Sequence, residues 1–289
     1  MAKQYTVTNE GKLLPFLFET LSGHEGWAKK TVKQYLQGSS IQVNGKVQTR
    51  HDHPLTPGDV VSIGRVKQLK DDSDTRPLKL EILYQDHELI AINKPAGLLS
   101  VATAVENKNH ALSLLRTQLS RGKEVVKLWP VHRLDRDTSG IMLFATSKET
   151  REAVMEKWDE TEKVYLAIVE GKPKADEDTS TAPLRLDKDE YRMHVGEHPD
   201  AKAATTHYKL RQSADERSLL EVRIETGRQH QIRAHMAWMG NPVVGDERYG
   251  KKGVRMGLHA MRLAFRHPGT GETVHLEVDA PRDFYDLLV

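Results

Sequence analysis

The chain has 289 residues, 38% hydrophobic, 29% charged and 6% aromatic, with a net charge of +2. That length and mix can bury a proper core in one large domain, or in a large domain with a small one attached. It contains no cysteine, which excludes disulfides, a thiolate nucleophile and cysteine-ligated metal or iron–sulfur sites and fits a reducing cytoplasm.

The opening MAKQYTVTNEGKLL lacks a secretory leader pattern and no apolar run approaches a membrane span, so a cytoplasmic protein with no membrane partner is expected. Of the 43 Lys+Arg and 41 Asp+Glu, residues 1–70 hold 10 and 5, an excess of +5 that leaves −3 for the remainder. KLLPFLFETL (12–21) reads as a short amphipathic helix and WAKKTVKQYLQG (27–38) as a second, with Lys29, Lys30 and Lys33 on one side and Gly38 as its stop. Such a lysine face is either a solvated surface or a grip on phosphate backbone. In IQVNGKVQ (41–48), Asn44-Gly45 between Val43 and Val47 is a hairpin signal, because both turn positions need positive φ. TPGDVVSIG (56–64) supplies a turn and a strand. Residues 1–65 are therefore expected to form a small α/β module, 66–78 a polar linker, and 79–289 a second, larger domain.

From Leu80 onward strands dominate. ILY (82–84), LIAINK (89–94), VYLAIVEG (164–171), SLLEVRIET (218–226) and ETVHLEVD (272–279) have strand character. Helical patterns at NHALSLLRTQLS (109–120), SKETREAVMEKW (147–158) and RQHQIRAHMAWM (228–239) interrupt them irregularly. The expected class is α+β, with a mixed, largely antiparallel sheet. Thr226 and Gln229 have the form of a capping box for the third helix, which Gly240-Asn241-Pro242 stops. Gln229, Arg233 and Met236 would then share one face, with Arg228, Ile232, His235 and Met239 rotated away.

The densest chemistry lies in VHRLDRDTSG (131–140). Asp135 between Arg133 and Arg136 should stay ionised, fit for a nucleophile or electrostatic stabiliser rather than a general acid. In a strand, Asp135 and Asp137 would share a face, as metal or glycosidic chemistry needs. Before Thr138-Ser139-Gly140, Asp137 also reads as a turn former or helix-cap acceptor. From these residues alone, an ion-pair network and a catalytic Asp135 both stand. His132, His230, His235 and His259 make no recognised zinc pattern, so they are expected to bond or face a partner and no metal is expected.

HRLDRDTSG (132–140) is similar, almost letter for letter, to the signature of the RluA-type family of RNA pseudouridine synthases. INKPAG (92–97), KVYLAIVEG (163–171), KAATTHYKL (202–210), TGRQHQIRAHMAWMGNPVVGDERYG (226–250) and LHAMRLAFRHPGTGE (258–272) keep that family's order, so the similarity spans about residues 80–280. Through its lysine-bearing helix, VNGK (43–46) and PGDVV (57–61), the front module resembles the small RNA-binding domain of a small-subunit ribosomal protein, tyrosyl-tRNA synthetases and several RNA-modifying enzymes.

The resemblance implies isomerisation of specific uridines in ribosomal or transfer RNA, by a monomer without a cofactor. It makes Asp135 the nucleophile, with its chemical route open. It makes Tyr165 an aromatic that stacks on the target base, with proton transfer a further task open to it. Arg233 would pair with the catalytic carboxylate, Arg133 would push into the RNA stack as the target flips out, and Leu258 would wall the uracil pocket. Lys29, Lys30 and Lys33 would hold RNA backbone. Two departures bear on substrate choice: Gln229 stands where the family usually has Thr or Ser, and LLSVAT (98–103) where many members carry a histidine–proline pair. The competing readings are an RNA-binding or ribosome-assembly factor on the same scaffold, and a carboxylate nucleosidase or glycosidase acting on free nucleosides.

Overall fold

The computed structural model describes residues 3–37, 40–64, 78–103, 106, 109–120, 125–187, 190 and 192–289. The chain divides into two compact units, Met1–Thr75 and Arg76–Val289. The Gly38 helix stop and, apart from Leu78, the linker expected over 66–78 lie outside the described residues.

In the first unit, strands β1 (Lys3–Thr6), β3 (Ile41–Val43), β4 (Lys46–Val47) and β6 (Val60–Ile63) form a sheet in the order β1-β6-β3-β4, and β2 (Gly11–Lys12) pairs with β5 (Pro54–Leu55). Asn44 and Gly45 both take positive φ, 50° and 77°, as a two-residue hairpin turn requires. Helix α1 (Leu13–Leu17) passes into a π-helical stretch, Phe18–His24, where a single α-helix was expected over 12–21. Leu13, Leu17 and Leu21 are all fully buried; their spacing of four exceeds the α-helical repeat, so the wider turn keeps Leu21 toward the core. Helix α2 (Lys29–Gln37) carries Lys29, Lys30 and Lys33 exposed, with Lys29 Nζ resting 5.6 Å above the Phe18 ring.

The second unit is built on one ten-stranded sheet. Its strands are β7 (Glu81–Gln85), β8 (Leu89–Lys94), β9 (Trp129–Pro130), β10 (Ser139–Ala145), β11 (Glu162–Glu170), β12 (Glu177–Ser180), β15 (Thr206–Ala214), β16 (Arg217–Ile224), β17 (Leu258–Arg266) and β18 (Thr273–Glu277). The order is β12-β15-β16-β11-β17-β10-β8-β7, with β18 on β17 and β9 on β10. Strands β13 (Leu184–Asp187) and β14 (Arg192–Val195) form a separate hairpin. Helices α3 (Ala111–Leu119), α4 (Lys148–Met155), α5 (Gln231–Trp238) and α6 (Arg282–Tyr285) complete the unit. The result is the α+β, largely antiparallel architecture that the irregular mixture of patterns predicts.

Period-two alternation places the core on both faces. Ile90, Ile92, Met142 and Phe144 pack with Leu115 of α3, while Leu89, Ala91, Ile141 and Leu143 pack with Val154 of α4. Farther along, Ala167, Val169, Leu220 and Val222 pack beneath Ile232 and Met236 of α5, and Val164 and Ile168 pack with Phe284 of α6.

Among the described residues, every strand pairing in this sheet is antiparallel except one. β10 and β17 run parallel and meet only at Ser139↔His259 and Gly140↔Ala260. This seam joins β7, β8, β9 and β10 to the rest. Gly140 makes the approach possible: at φ 110°, a Cβ there would lie 2.2 Å from the Ala260 carbonyl oxygen.

Candidate active site

Asp135 sits in the tight loop that enters β10, closed by Thr138 N–H donating to the Asp135 carbonyl at 3.2 Å. No helix follows, so Asp137 is part of a turn and caps nothing. Two buried side chains fasten the loop on either side of Asp135. Ser100 Oγ donates to Leu134 O at 2.6 Å and accepts from Leu134 N at 3.0 Å. Lys94 Nζ donates to Pro95 O, Leu98 O and Arg136 O at 3.0, 2.7 and 2.9 Å, which uses all three ammonium protons. Burial brings Lys94 down to about 7, against the upward pull of Asp137 and Asp135. Ser100 belongs to the LLSVAT segment, which serves here as a latch on Leu134.

The cation that touches Asp135 is neither of its chain neighbours. Arg233 Nη1 donates to Asp135 Oδ2 at 2.7 Å, whereas Arg136 pairs with Glu106 at 3.3 Å. The expectation that flanking arginines hold the carboxylate is corrected for Arg136: turn geometry sends its side chain elsewhere. Arg233 is itself clamped, Nε to Asp246 Oδ2 at 2.6 Å and Nη2 to Asp246 Oδ1 at 2.9 Å, the two-pronged geometry that fixes a guanidinium in plane. The Asp246 side chain is fully buried and that of Arg233 11% exposed. Arg248 N–H and Tyr249 N–H donate to Asp246 Oδ1 at 3.0 and 3.2 Å. Burial alone would raise Asp246, but Arg233 outweighs it and holds the carboxyl below its usual value; Arg233 is likewise held protonated against burial by both carboxylates.

Strand alternation puts Tyr165 on the same face as Ala167 and Val169, beneath α5. Burial, and then the charge of Asp135, pushes its phenol well above the ordinary value, so at neutral pH it is a ring and a proton holder rather than a base. Asp135, Tyr165, Arg233, Arg133 and Leu258 all line one cleft of about 70 Å³, together with Ile224, Arg228, His230 and Ile232. The topology therefore brings together five of the eight residues singled out from the sequence. Lys29, Lys30 and Lys33 belong to the other unit. A larger groove of about 870 Å³ shares Arg233 and is lined by Arg192, Arg248, Lys252 and Arg255 among others, but not by Asp135 or Tyr165.

The third predicted helix starts later than its sequence pattern. α5 begins at Gln231 behind His230, with no side-chain cap on the backbone, and Gln229 lies outside it, exposed. The Thr226/Gln229 capping box is corrected accordingly: Gln231 reaches back instead, its Oε1 accepting from Thr226 Oγ1 at 2.8 Å and Arg228 N at 3.0 Å. The predicted division into faces fails with it. Gln231 through Met236 are all buried, and Arg228 and Ile232, expected to turn away, line the cleft beside Arg233.

Three of the four histidines are structural. His132 Nε2 accepts from Leu143 N at 3.2 Å and stacks on Trp158; burial lowers it to about 4. His235 lies between Thr206 Oγ1 and Ala182 O, and His259 between Ser139 Oγ and Val278 O. Of the four, His230 alone reaches the cleft, its Nε2 3.8 Å from Asp135 Oδ1. Among the described residues, side chains at metal-ligand spacing converge only at Asp187, Glu190 and His194. Asp246, Tyr249, Ser100 and Lys94 escaped the sequence reading as site residues.

The profile of the family described as RNA pseudouridylate synthase matches residues 88–238. The uncharacterized RNA pseudouridine synthase YlyB of Bacillus subtilis is 31% identical over 276 residues, covering 92% of this chain and 90% of that protein. The ribosomal large subunit pseudouridine synthase D of Vibrio cholerae is 32% identical over 291 residues, covering 90% and 86%. Among solved structures, human RNA pseudouridylate synthase domain-containing 4 superposes with a TM-score of 0.60 at 25% identity, over 72% of this chain and 91% of that one.

Proposed function

Since the chain belongs to the RNA pseudouridylate synthase family, we propose that it isomerises specific uridines of large-subunit ribosomal RNA, with Asp135 as the nucleophile. In the overall change the bond from N1 to C1′ breaks and one from C5 to C1′ forms; C5 gives up its proton and N1 gains one, so atoms and electrons balance without oxidant, reductant or water. The observation that carries the role of Asp135 is its contact with Arg233 at 2.7 Å inside the cleft shared with Tyr165 and Leu258. Arg233 occupies Oδ2 and leaves Oδ1 toward the reacting sugar.

Tyr165 offers a protonated ring against which a flipped uracil can stack, and Leu258, Ile224 and Ile232 give the base an apolar seat. Arg133, on the rim, has the planar cation to fill the gap that a flipped nucleotide leaves. Lys29, Lys30 and Lys33, exposed on α2, supply backbone affinity from a unit with the basic excess of the chain. Large-subunit ribosomal RNA is chosen because relatives covering about nine-tenths of the chain carry that substrate in their names. The reading has the enzyme act in the cytoplasm as a monomer. No described helix is long and apolar enough to cross a membrane.

The test is a pseudouridine map of unmodified ribosomal and transfer RNA after incubation with the wild-type protein or with Asp135→Asn. Discrete new sites in large-subunit RNA with wild type only are expected. Tight RNA binding without product would favour a binding factor, and equal product from both proteins would remove Asp135 from the chemistry.

A further inference from the structure

His230 holds φ at 49°, a left-handed conformation, at the start of α5. Such a backbone is strained for a side chain of this size and persists where the surroundings enforce it. What it achieves is a fixed imidazole. Tyr249 Oη accepts from Met193 N–H at 2.7 Å, so the phenol's own proton is free for His230 Nδ1 at 3.1 Å. A neutral imidazole that accepts at Nδ1 carries its proton on Nε2. The groups facing the ring are Tyr249, Asp135, Arg233, Arg248 and Asp246; burial keeps it below the ordinary imidazole range although the carboxylates pull the other way.

The resulting N–H lies 3.8 Å from Asp135 Oδ1, the oxygen that Arg233 leaves unbonded. That is too long for a direct hydrogen bond. It is the base of a triangle whose apex, about 2.8 Å from each atom, suits one hydroxyl oxygen. The hydroxyl would accept from His230 Nε2–H and donate to the carboxylate. A carboxylate acting at C1′ lies about 3–3.5 Å from that carbon, and the ribose hydroxyl on the adjoining carbon is then within its reach.

We propose that His230 Nε2 and Asp135 Oδ1 together receive the 2′-hydroxyl of the target uridine, making His230 a residue that selects ribose over deoxyribose. The inference rests on the reading of Asp135 as the group that acts at the target sugar. Tyr249 serves as the positioning residue that sets the tautomer of His230. A 2′-hydroxyl both donates and accepts, which is what a neutral imidazole and an ionised carboxylate can read together.

The experiment pairs two RNA hairpins, identical except for 2′-deoxyuridine at the mapped target, with wild type, His230→Phe, His230→Gln and Tyr249→Phe, measuring kcat/KM for each. For wild type the missing hydroxyl should cost roughly 10- to 100-fold, the scale of a hydrogen bond to a charged group. For His230→Phe the same deletion should cost less than about threefold, while His230→Gln, which keeps a donor, should recover part of the discrimination. Tyr249→Phe should fall between, with a pH profile shifted by the freed imidazole. An equal penalty in wild type and in both His230 variants would overturn the proposal. Wild type inert on the all-ribose hairpin would instead bring down the parent reading, and the two failures are distinct.

Discussion

Arg233 donates to Asp135 at 2.7 Å across 98 residues of chain, and it can do so in one orientation only because Asp246 holds the other edge of its guanidinium. The carboxylate is thus aimed by a residue that never meets it. Asp246→Asn should leave Asp135 in place yet loosen its partner. The expected result is a fall in kcat of about 100-fold with KM little changed, since misplacement by about 1 Å costs that much. Removing one partner of a buried pair should also cost about 3–5 kcal/mol of stability. Steady-state kinetics beside urea unfolding would separate the two; unchanged kcat would sink the positioning role.

Gly140→Ala tests the seam. A Cβ at φ 110° would press on the Ala260 carbonyl at 2.2 Å, and main chain on both sides leaves no flexible side chain to yield. Strain and overpacking together should cost about 3 kcal/mol or more. Thermal denaturation would show a clearly lower midpoint, and a midpoint matching wild type would mean that the strands part without penalty.

His132 gives stability an acid limb. Burial holds the folded imidazole at about 4, below its ordinary 6.5, and its Nε2 must stay unprotonated to accept from Leu143 N. The unfolded chain therefore binds the proton first as pH falls, so stability is full above about 6.5 and declines toward pH 4. The contribution of this residue amounts to about 3 kcal/mol. In His132→Gln the unfolding free energy should fall less steeply over that window, and an unchanged slope would reassign it to His235 or His259.

Replacing Lys29, Lys30 and Lys33 with alanine should weaken RNA binding and flatten its salt dependence, by up to about 0.7–0.9 in log–log slope for each phosphate no longer neutralised. The turnover number at saturating RNA should stay as it was. Binding titrations from low to moderate salt would decide, and parallel slopes would mean that α2 faces solvent only.

Much of the scaffold was legible because its signals are local. Asn44-Gly45 fixed a turn, alternating apolar residues marked β11 and β16, and Gly240 closed α5 after Trp238. That Asp135, Tyr165, Arg233, Arg133 and Leu258 share one cleft agrees with the motifs that singled them out. What stayed hidden depends on partners far apart in the chain. Nothing near position 246 announces that its carboxylate will be buried against Arg233, and nothing near Ser100 announces a bond to Leu134. The start of α5 was misplaced for a related reason: Gln231, three residues beyond Arg228, outcompeted Gln229 for the loop's polar groups because the chain turns left-handed at His230.

The β10–β17 seam divides the cleft by order of synthesis as well as by position. Arg133, Leu134, Asp135 and Thr138 come from one side of it; Tyr165, His230, Arg233 and Leu258 come from the other. Asp135 leaves the ribosome 98 residues ahead of its guanidinium partner Arg233. On the second side Tyr165 already pairs with Ala260, 95 residues away, and the union of the two sides closes a loop of 120 residues between Ser139 and His259, a slow, long-range step. The two halves of the cleft therefore meet only once that long-range step is made, however early Asp135 has been synthesised.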